Sequence, residues 1–284
     1  MSKQTVIFFC ILLSHFLAHT QTKDNTIPLP VKKKDFHIFL SMGQSNMAGY
    51  GCVVGSDPWQ PGDKDPTPGV WMLTGQHDLD ADTSIKEVKW VPATHPLHPL
   101  QSSAQFGMGI DFAKEYIKMH PGVSVGLIPC AWGGAEINRL KKGTLHYANA
   151  ISRTKRAAKD GLIKGVLWHQ GESDSVTPEL AALYQHKLDS FVVNLRTDLN
   201  VPRLAFVCGD LAEFYGQGRS ETHRAGIAIV RRTLHELPFR LPNTYCVATD
   251  GLESPDEHYV HFNRWSNIQL GKRYAQAFKI LQQY

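Results

Sequence analysis

The stretch FHIFLSMGQSNMAGYG, residues 36–51, changes character halfway along. Its first seven residues form an apolar run rich in strand formers. A glycine, polar groups and two more glycines then read as a turn. The run is apolar on both faces rather than alternating. Such a strand is buried on both sides, as in a parallel sheet covered by helices. Similar runs recur at 123–131, 162–169, 204–208 and 244–249. Between and after them lie segments with helical spacing, at 105–120, 144–159, 178–198, 220–237 and 263–281. The segment at 178–198 opens with Pro178, a favoured first helical residue, and the one at 220–237 opens on the good cap Ser220. The β-α pattern, repeated about five times, predicts one doubly wound α/β domain on a five-stranded parallel sheet.

With 284 residues, 42% hydrophobic and 20% charged, the chain is ample for one large core. The formal net charge is +4 with no long basic block; Lys32, Lys33 and Lys34 are followed at once by Asp35. That is a solvated edge and not a nucleic-acid site. Residues 1–20 differ from the rest. Lys3 precedes an apolar stretch, VIFFCILLSHFLA at 6–18, and polar residues follow. They read as a secretory signal peptide cut near Thr20, because the stretch is short beside the ~20 residues of a full membrane span. The expected organisation is a signal peptide at 1–20, a lead-in at 21–35 and one domain at 36–284, exported and free of the membrane after cleavage. Cys10 leaves with the leader. Cys52, Cys130, Cys208 and Cys246 remain, without metal-like spacing, and the sequence allows buried thiols or disulfides.

One region breaks the pattern. Residues 52–103 are rich in Pro, Gly and Asp and carry Trp59, Trp71 and Trp90 and the pairs His95-Pro96 and His98-Pro99. A loop of this length inside a compact domain is usually functional or disordered, and its tryptophans argue against disorder. Each Trp either stacks on a sugar ring or packs the loop onto the domain.

Ligands of an open parallel sheet bind beyond the carboxyl ends of its strands. There this chain collects polar residues from distant segments: Ser45 in GQSNM, Gly133 and Gly134 in CAWGGAEI, Gln170, Glu172 and Asp174 in HQGESD, Asp210 and Glu213 in GDLAEFYGQG, and Asp256, Glu257, His258 and His261 in DEHYVHFN. A serine nucleophile needs a base, a group that orients the base, and donors for the oxyanion. Ser45 supplies the nucleophile or a plain helix cap. His261 or His258 supplies the base and Asp256 the orienting acid. The N–H of Ser45, an N–H of the Gly133-Gly134 turn and the Gln170 amide supply the oxyanion donors. Glu172 and Asp174 read as residues that hold the loop rather than as a metal pair, since no third ligand completes a site.

Together, GQSNM, WGG, HQGESD and HFN…LGKRYA resemble the SGNH hydrolase superfamily, and more closely carbohydrate esterase family six and the sialate O-acetylesterase-like domains. The resemblance runs from about Phe36 to Phe278, with the motifs in the expected order. It implies a three-layer α/β/α sandwich of flavodoxin-like type. It also implies Ser45 as nucleophile, His261 as catalytic histidine, a second block at Gly133-Gly134 and Gln170 in the place of the superfamily's asparagine. Members remove acetyl groups from xylan, sialic acids or other sugars without a metal or other cofactor. One departure stands out: three residues before the catalytic histidine, where the family carries Asp, this chain has His258. Asp256, Glu257 or a backbone carbonyl then orients His261. The expected activity is serine esterase action on acetylated carbohydrate. A protein that binds acetylated glycans without hydrolysing them is the alternative, and a lipid esterase is disfavoured by the polar, Pro-rich 52–103 region.

Overall fold

The computed structural model describes residues 31–53, 57–75, 88–99 and 101–283; the expected signal peptide and most of the lead-in lie outside them. Strand β1 (Phe36–Gly43) is buried along almost its whole length. It is followed by β2 (Val70–Leu73), β3 (Trp90–Pro92), β4 (Ser124–Pro129), β5 (Leu162–His169), β6 (Ala205–Gly209) and β7 (Thr244–Val247). All seven form one sheet in the order β3-β2-β4-β1-β5-β6-β7. The five anticipated strands are present and parallel, but the sheet is seven-stranded and mixed, not five-stranded and parallel. The irregular 52–103 region supplies the difference: β2 pairs parallel to β4, and β3 runs antiparallel to β2. At four and three residues these strands are too short for a periodic signal. Their tryptophans are core residues. Trp71 and Trp90 are buried, and Trp90 meets Phe36 edge-on while its indole N–H donates to Asp160 at 2.9 Å.

The helices are α1 (Ser45–Ala48), α2 (Gly109–Met119), α3 (Ile137–Leu140), α4 (Leu145–Ala157), α5 (Pro178–Ala182), α6 (Tyr184–Asp198), α7 (Glu221–Arg240) and α8 (Arg264–Leu281). They cover both faces of the sheet. On β5, Trp168 reaches α6 through Phe191 and Tyr184, while its neighbour His169 reaches α8 through Tyr274. Adjacent strand residues point to opposite faces, so the architecture is an α/β/α sandwich. On the α2–α8 side, Phe39 packs edge-on against Phe112, Tyr116 and Phe278. Side-chain caps open α4, α5, α7 and α8: Thr144, Thr177, Ser220 and Asn263 each accept a backbone N–H three residues on, and Ser220 is the one the sequence pointed to.

Two helix expectations change. The helix expected at 178–198 breaks at Leu183 into α5 and α6, which leaves Leu183 exposed and buries Tyr184 completely. The helix expected to end at 237 continues through Pro238 to Arg240. Proline lacks the N–H that would pair with Leu234 O; the Cys208 thiol lies 3.9 Å from that carbonyl. All four described cysteines are free thiols. Among the described residues, no helix is long and apolar enough to cross a membrane.

The pairing of β1 with β5 positions the functional edge. Its register sets Gly43 beside His169, so the turns after both strands open side by side.

Candidate active site

At the end of β1, Gly43 has φ +148°, and a Cβ there would lie 2.1 Å from His169 O. Only glycine lets the two strand ends approach this closely. Gln44 then donates its N–H to His169 O at 2.9 Å. Its side-chain oxygen accepts from Gln170 Nε2, Gly171 N–H and Ser173 N–H at 3.3, 3.4 and 3.3 Å. The first turn is thereby stapled to the third. The single helical turn α1 begins at Ser45 and closes at Gly49, whose φ is +83°. N–H groups at a helix start have no intrahelical partner, and Ser45 N–H makes no hydrogen bond among the described residues.

Ser45 Oγ lies 3.1 Å from Nε2 of His261, a residue 216 positions away. Burial lowers the His261 pKa below the ordinary histidine value, while the charge of Asp256 opposes the shift. His258 and Glu257 are exposed. Of the two candidate bases, therefore, the structure brings His261 to Ser45.

The expected acid is not in contact. Asp256 Oδ1 accepts the His258 N–H at 3.0 Å, and no carboxylate of the described residues hydrogen-bonds to His261. The Nδ1 edge of the ring faces Gly51 instead, where a Cβ would lie 2.6 Å from Nδ1. Asp256 closes its own turn, as a carboxylate two residues ahead of an N–H commonly does.

Two of the expected oxyanion donors are engaged elsewhere. Gly133 N–H donates to Gln101 Oε1 at 3.2 Å, and the same oxygen accepts the Tyr50 hydroxyl at 2.5 Å. Gln170 is fully buried, with its amide nitrogen 2.6 Å from Asp174 Oδ2, 3.1 Å from Ala135 O and 3.3 Å from Gln44 Oε1. Asp174 also accepts Ile137 N–H at 2.8 Å, and Ser173 Oγ donates to Gly134 O at 3.1 Å. Gln170 and Asp174 thus fasten the 132–137 loop from beneath. Gly134, exposed at φ +65°, keeps its N–H free of hydrogen bonds among the described residues.

Beneath Ser45 lies a buried polar layer. Glu172 is completely enclosed, and burial pushes its pKa up to about 7. Its Oε1 accepts from Asn46 Nδ2 at 2.6 Å, while Oε2 has no partner among the described residues. His169 Nε2 approaches Glu172 at 3.9 Å, but burial brings the His169 pKa down to about 4, so at neutral pH this is not an ion pair. Its tautomer follows from Tyr274. That hydroxyl donates to Trp168 O at 2.6 Å and so receives the Nδ1 proton of His169 at 3.2 Å. Farther from Ser45, Asp210 is buried against Arg231 and His235, and Glu213 begins a short turn.

Sequence reasoning missed the roles of Gln44, Asn46, Tyr50 and Gln101. Their partners lie far along the chain, and only the neighbourhood of Gln44 and Asn46 to Ser45 hinted at them. Among the described residues, no group of three or more His, Cys, Asp or Glu is placed to hold a metal ion.

Residues 35–280 match the family model described as "Carbohydrate esterase, sialic acid-specific acetylesterase". A curated relative from Arabidopsis thaliana, named "Probable carbohydrate esterase", is 32% identical over 255 residues, covering 85% of this chain and 89% of its own length. A solved Arabidopsis thaliana structure is 30% identical, with a TM-score of 0.71, and covers 86% of this chain and 98% of that one. A carbohydrate acetylesterase from Xanthomonas citri (21% identity, TM-score 0.64, 84% of this chain and 55% of that one) shares the fold. So does NanS (18% identity, TM-score 0.66, 89% and 99%).

Proposed function

The chain belongs to the sialic acid-specific acetylesterase family of carbohydrate esterases, and from that premise we propose that it is a serine esterase that removes O-acetyl groups from sugars through an acetyl-serine intermediate. The observation that carries this reading is the 3.1 Å contact between Ser45 Oγ and His261 Nε2 at the carboxyl edge of the sheet. A lowered pKa leaves His261 unprotonated at neutral pH, as a general base must be.

Ser45 attacks the acetyl carbonyl while His261 Nε2 takes its proton. The tetrahedral oxyanion rests on the Ser45 N–H, at the start of α1, and on the Gly134 N–H. One such donor is typically worth a factor of about 10²–10³ in rate. The carbon–oxygen bond to the sugar breaks, and His261 returns the proton to the departing hydroxyl. Water, deprotonated by His261, then attacks the acetyl-serine. Acetate leaves and Ser45 recovers its proton. Gln170 braces the 132–137 loop rather than meeting the oxyanion. No metal or cofactor enters these steps.

The family description supports a sialate-type substrate; acetylxylan and other acetylated glycans form the comparison set. Export rests on the leader-like residues 1–20, and the amino terminus of protein recovered from culture medium tests it. The test of the activity is acetate release from O-acetylated sialosides, acetylxylan and other acetylated glycans by the wild type and Ser45→Ala. The expected result is turnover by the wild type and a loss of at least about 10³ in the variant. A variant that keeps full activity overturns the reading.

A further inference from the structure

We propose that Asn46, braced by the buried Glu172, is the positioning residue that holds His261 against Ser45. The inference rests on the esterase reading above and concerns how that site is kept in register.

A histidine base must be held within a narrow range of angles, and a carboxylate on its second nitrogen ordinarily does this. Here no carboxylate of the described residues reaches the His261 ring. The backbone on both sides of His261 is gripped instead. Asn46 Nδ2 donates to Val260 O at 3.1 Å, and Asn46 Oδ1 accepts Phe262 N–H at 3.4 Å. One side chain therefore fixes the peptide planes before and after the base, and with them the direction in which its side chain leaves the backbone. Gly51 closes the Nδ1 edge of the ring. Asn46 also sits beside Ser45 on the one-turn helix α1. Nucleophile and base are thus referred to the same four residues, whatever the rest of the segment does.

Glu172 sets the sense of the clamp. A carboxamide can be turned end for end, and only one orientation suits this site. With its nitrogen toward Val260 O and its oxygen toward Phe262 N–H, Asn46 still has one N–H to place. Glu172 Oε1 accepts it at 2.6 Å. The reversed amide would set oxygen against oxygen there. Asn46 is buried, and both its N–H groups and its carbonyl are engaged.

The experiment measures kcat and KM on p-nitrophenyl acetate, with thermal melts to establish folding. Asn46→Ala is expected to lower kcat about 10- to 100-fold with KM little changed, since loss of alignment alone is worth up to about 10². Asn46→Asp keeps the size and the Phe262 contact but has at most one donor, and it should also lose kcat; it carries the test where Asn46→Ala does not fold. Glu172→Gln retains a carbonyl for Asn46 and should restore most of what Glu172→Leu loses. In a His261→Ala background, the Asn46 change should add almost nothing, because its effect runs through His261. An Asn46 variant with wild-type kcat, or one whose loss multiplies fully with that of His261→Ala, overturns the proposal. If Ser45→Ala is inactive while the Asn46 variants match the wild type, only the clamp fails; if Ser45→Ala keeps its turnover, the esterase reading fails.

Discussion

The two halves of the proposed catalytic pair are held in opposite ways. Ser45 stands on a rigid corner: Gly43 admits the neighbouring strand, Gln44 ties the corner to three groups of the 170–173 turn, and Gly49 closes the helical turn. His261 arrives on the connection between β7 and α8, where the nearby carboxylates serve the connection itself. Asp256 closes its own turn, and the Glu253 carboxylate accepts from Asn263 Nδ2 at 3.4 Å. The base is held from outside, by Asn46 on the serine's corner. On the proposed reading, this serine–histidine pair is aligned through backbone instead of through an acid on the ring, with the corner as the reference.

The largest way to break this contrast is at the corner. In Gly43→Ala, the new methyl would meet the His169 carbonyl carbon and oxygen on one side, with a positive φ that alanine rarely adopts. All three nearest contacts are backbone atoms of His169, with no flexible side chain to yield, so destabilisation of roughly 4 kcal/mol or more is expected, at the upper end for a single substitution. Urea unfolding measures it. A Gly43→Ala protein of wild-type stability and activity would mean that the strand ends can separate and that the corner is not the rigid partner.

What the sequence made legible follows the same division. The strand runs, the cap Ser220 and Ser45 at a strand-to-helix turn are local signals, and they appear where expected. The residues alone left His258 and His261 both open as the base, and only the resemblance to the family motif pointed to His261. Features that depend on distant partners were hidden. In the letters alone, a buried Gln170 fastening a loop is identical to a Gln170 aimed at substrate. Gly133 looks like an available donor until Gln101 is seen to accept from it. The Asn46 clamp joins positions more than 200 residues apart. Strands β2 and β3 were hidden for another reason: three or four residues are too few to display a period.

The layer beneath the corner sharpens the comparison through pH. Glu172 in the folded protein has its pKa raised to about 7, chiefly by burial and secondarily by the nearby charge of Asp174. The folded state then binds its proton more tightly than the unfolded chain does. The associated stability is fully present below the unfolded value near 4.5 and is lost as pH rises through about 7. His169 works the other way, with a folded pKa of about 4: its contribution is present above 6.5 and is lost as pH falls through about 4. Glu172→Gln imitates the neutral acid at every pH. It should match the wild type near pH 4 and exceed it above pH 7 by a few kcal/mol, on the order of 3 at most. Denaturation of both proteins at pH 4, 6 and 8 checks this. A gap that stays constant with pH would mean that Glu172 titrates in the fold as it does in the unfolded chain.

The smallest effect is expected at Asp256, and it bears most directly on how the base is held. Asp256→Asn preserves the oxygen that accepts His258 N–H, so the turn survives and only the charge is removed. Were Asp256 the orienting acid of a triad, this change would cost a factor of about 10⁴ in kcat. With the carboxylate off the ring and His261 held through its backbone, the loss at pH 7 should stay within about threefold, the scale of a screened charge nearby. The sign of the residual effect is also set. Asp256 raises the His261 pKa against the larger lowering by burial. Without the charge, that pKa falls further, more of the imidazole is free base in acid, and the acidic limb of kcat/KM should move to lower pH. A limb that moves up, or a collapse of kcat at every pH, would return Asp256 to the ring and make the backbone clamp secondary.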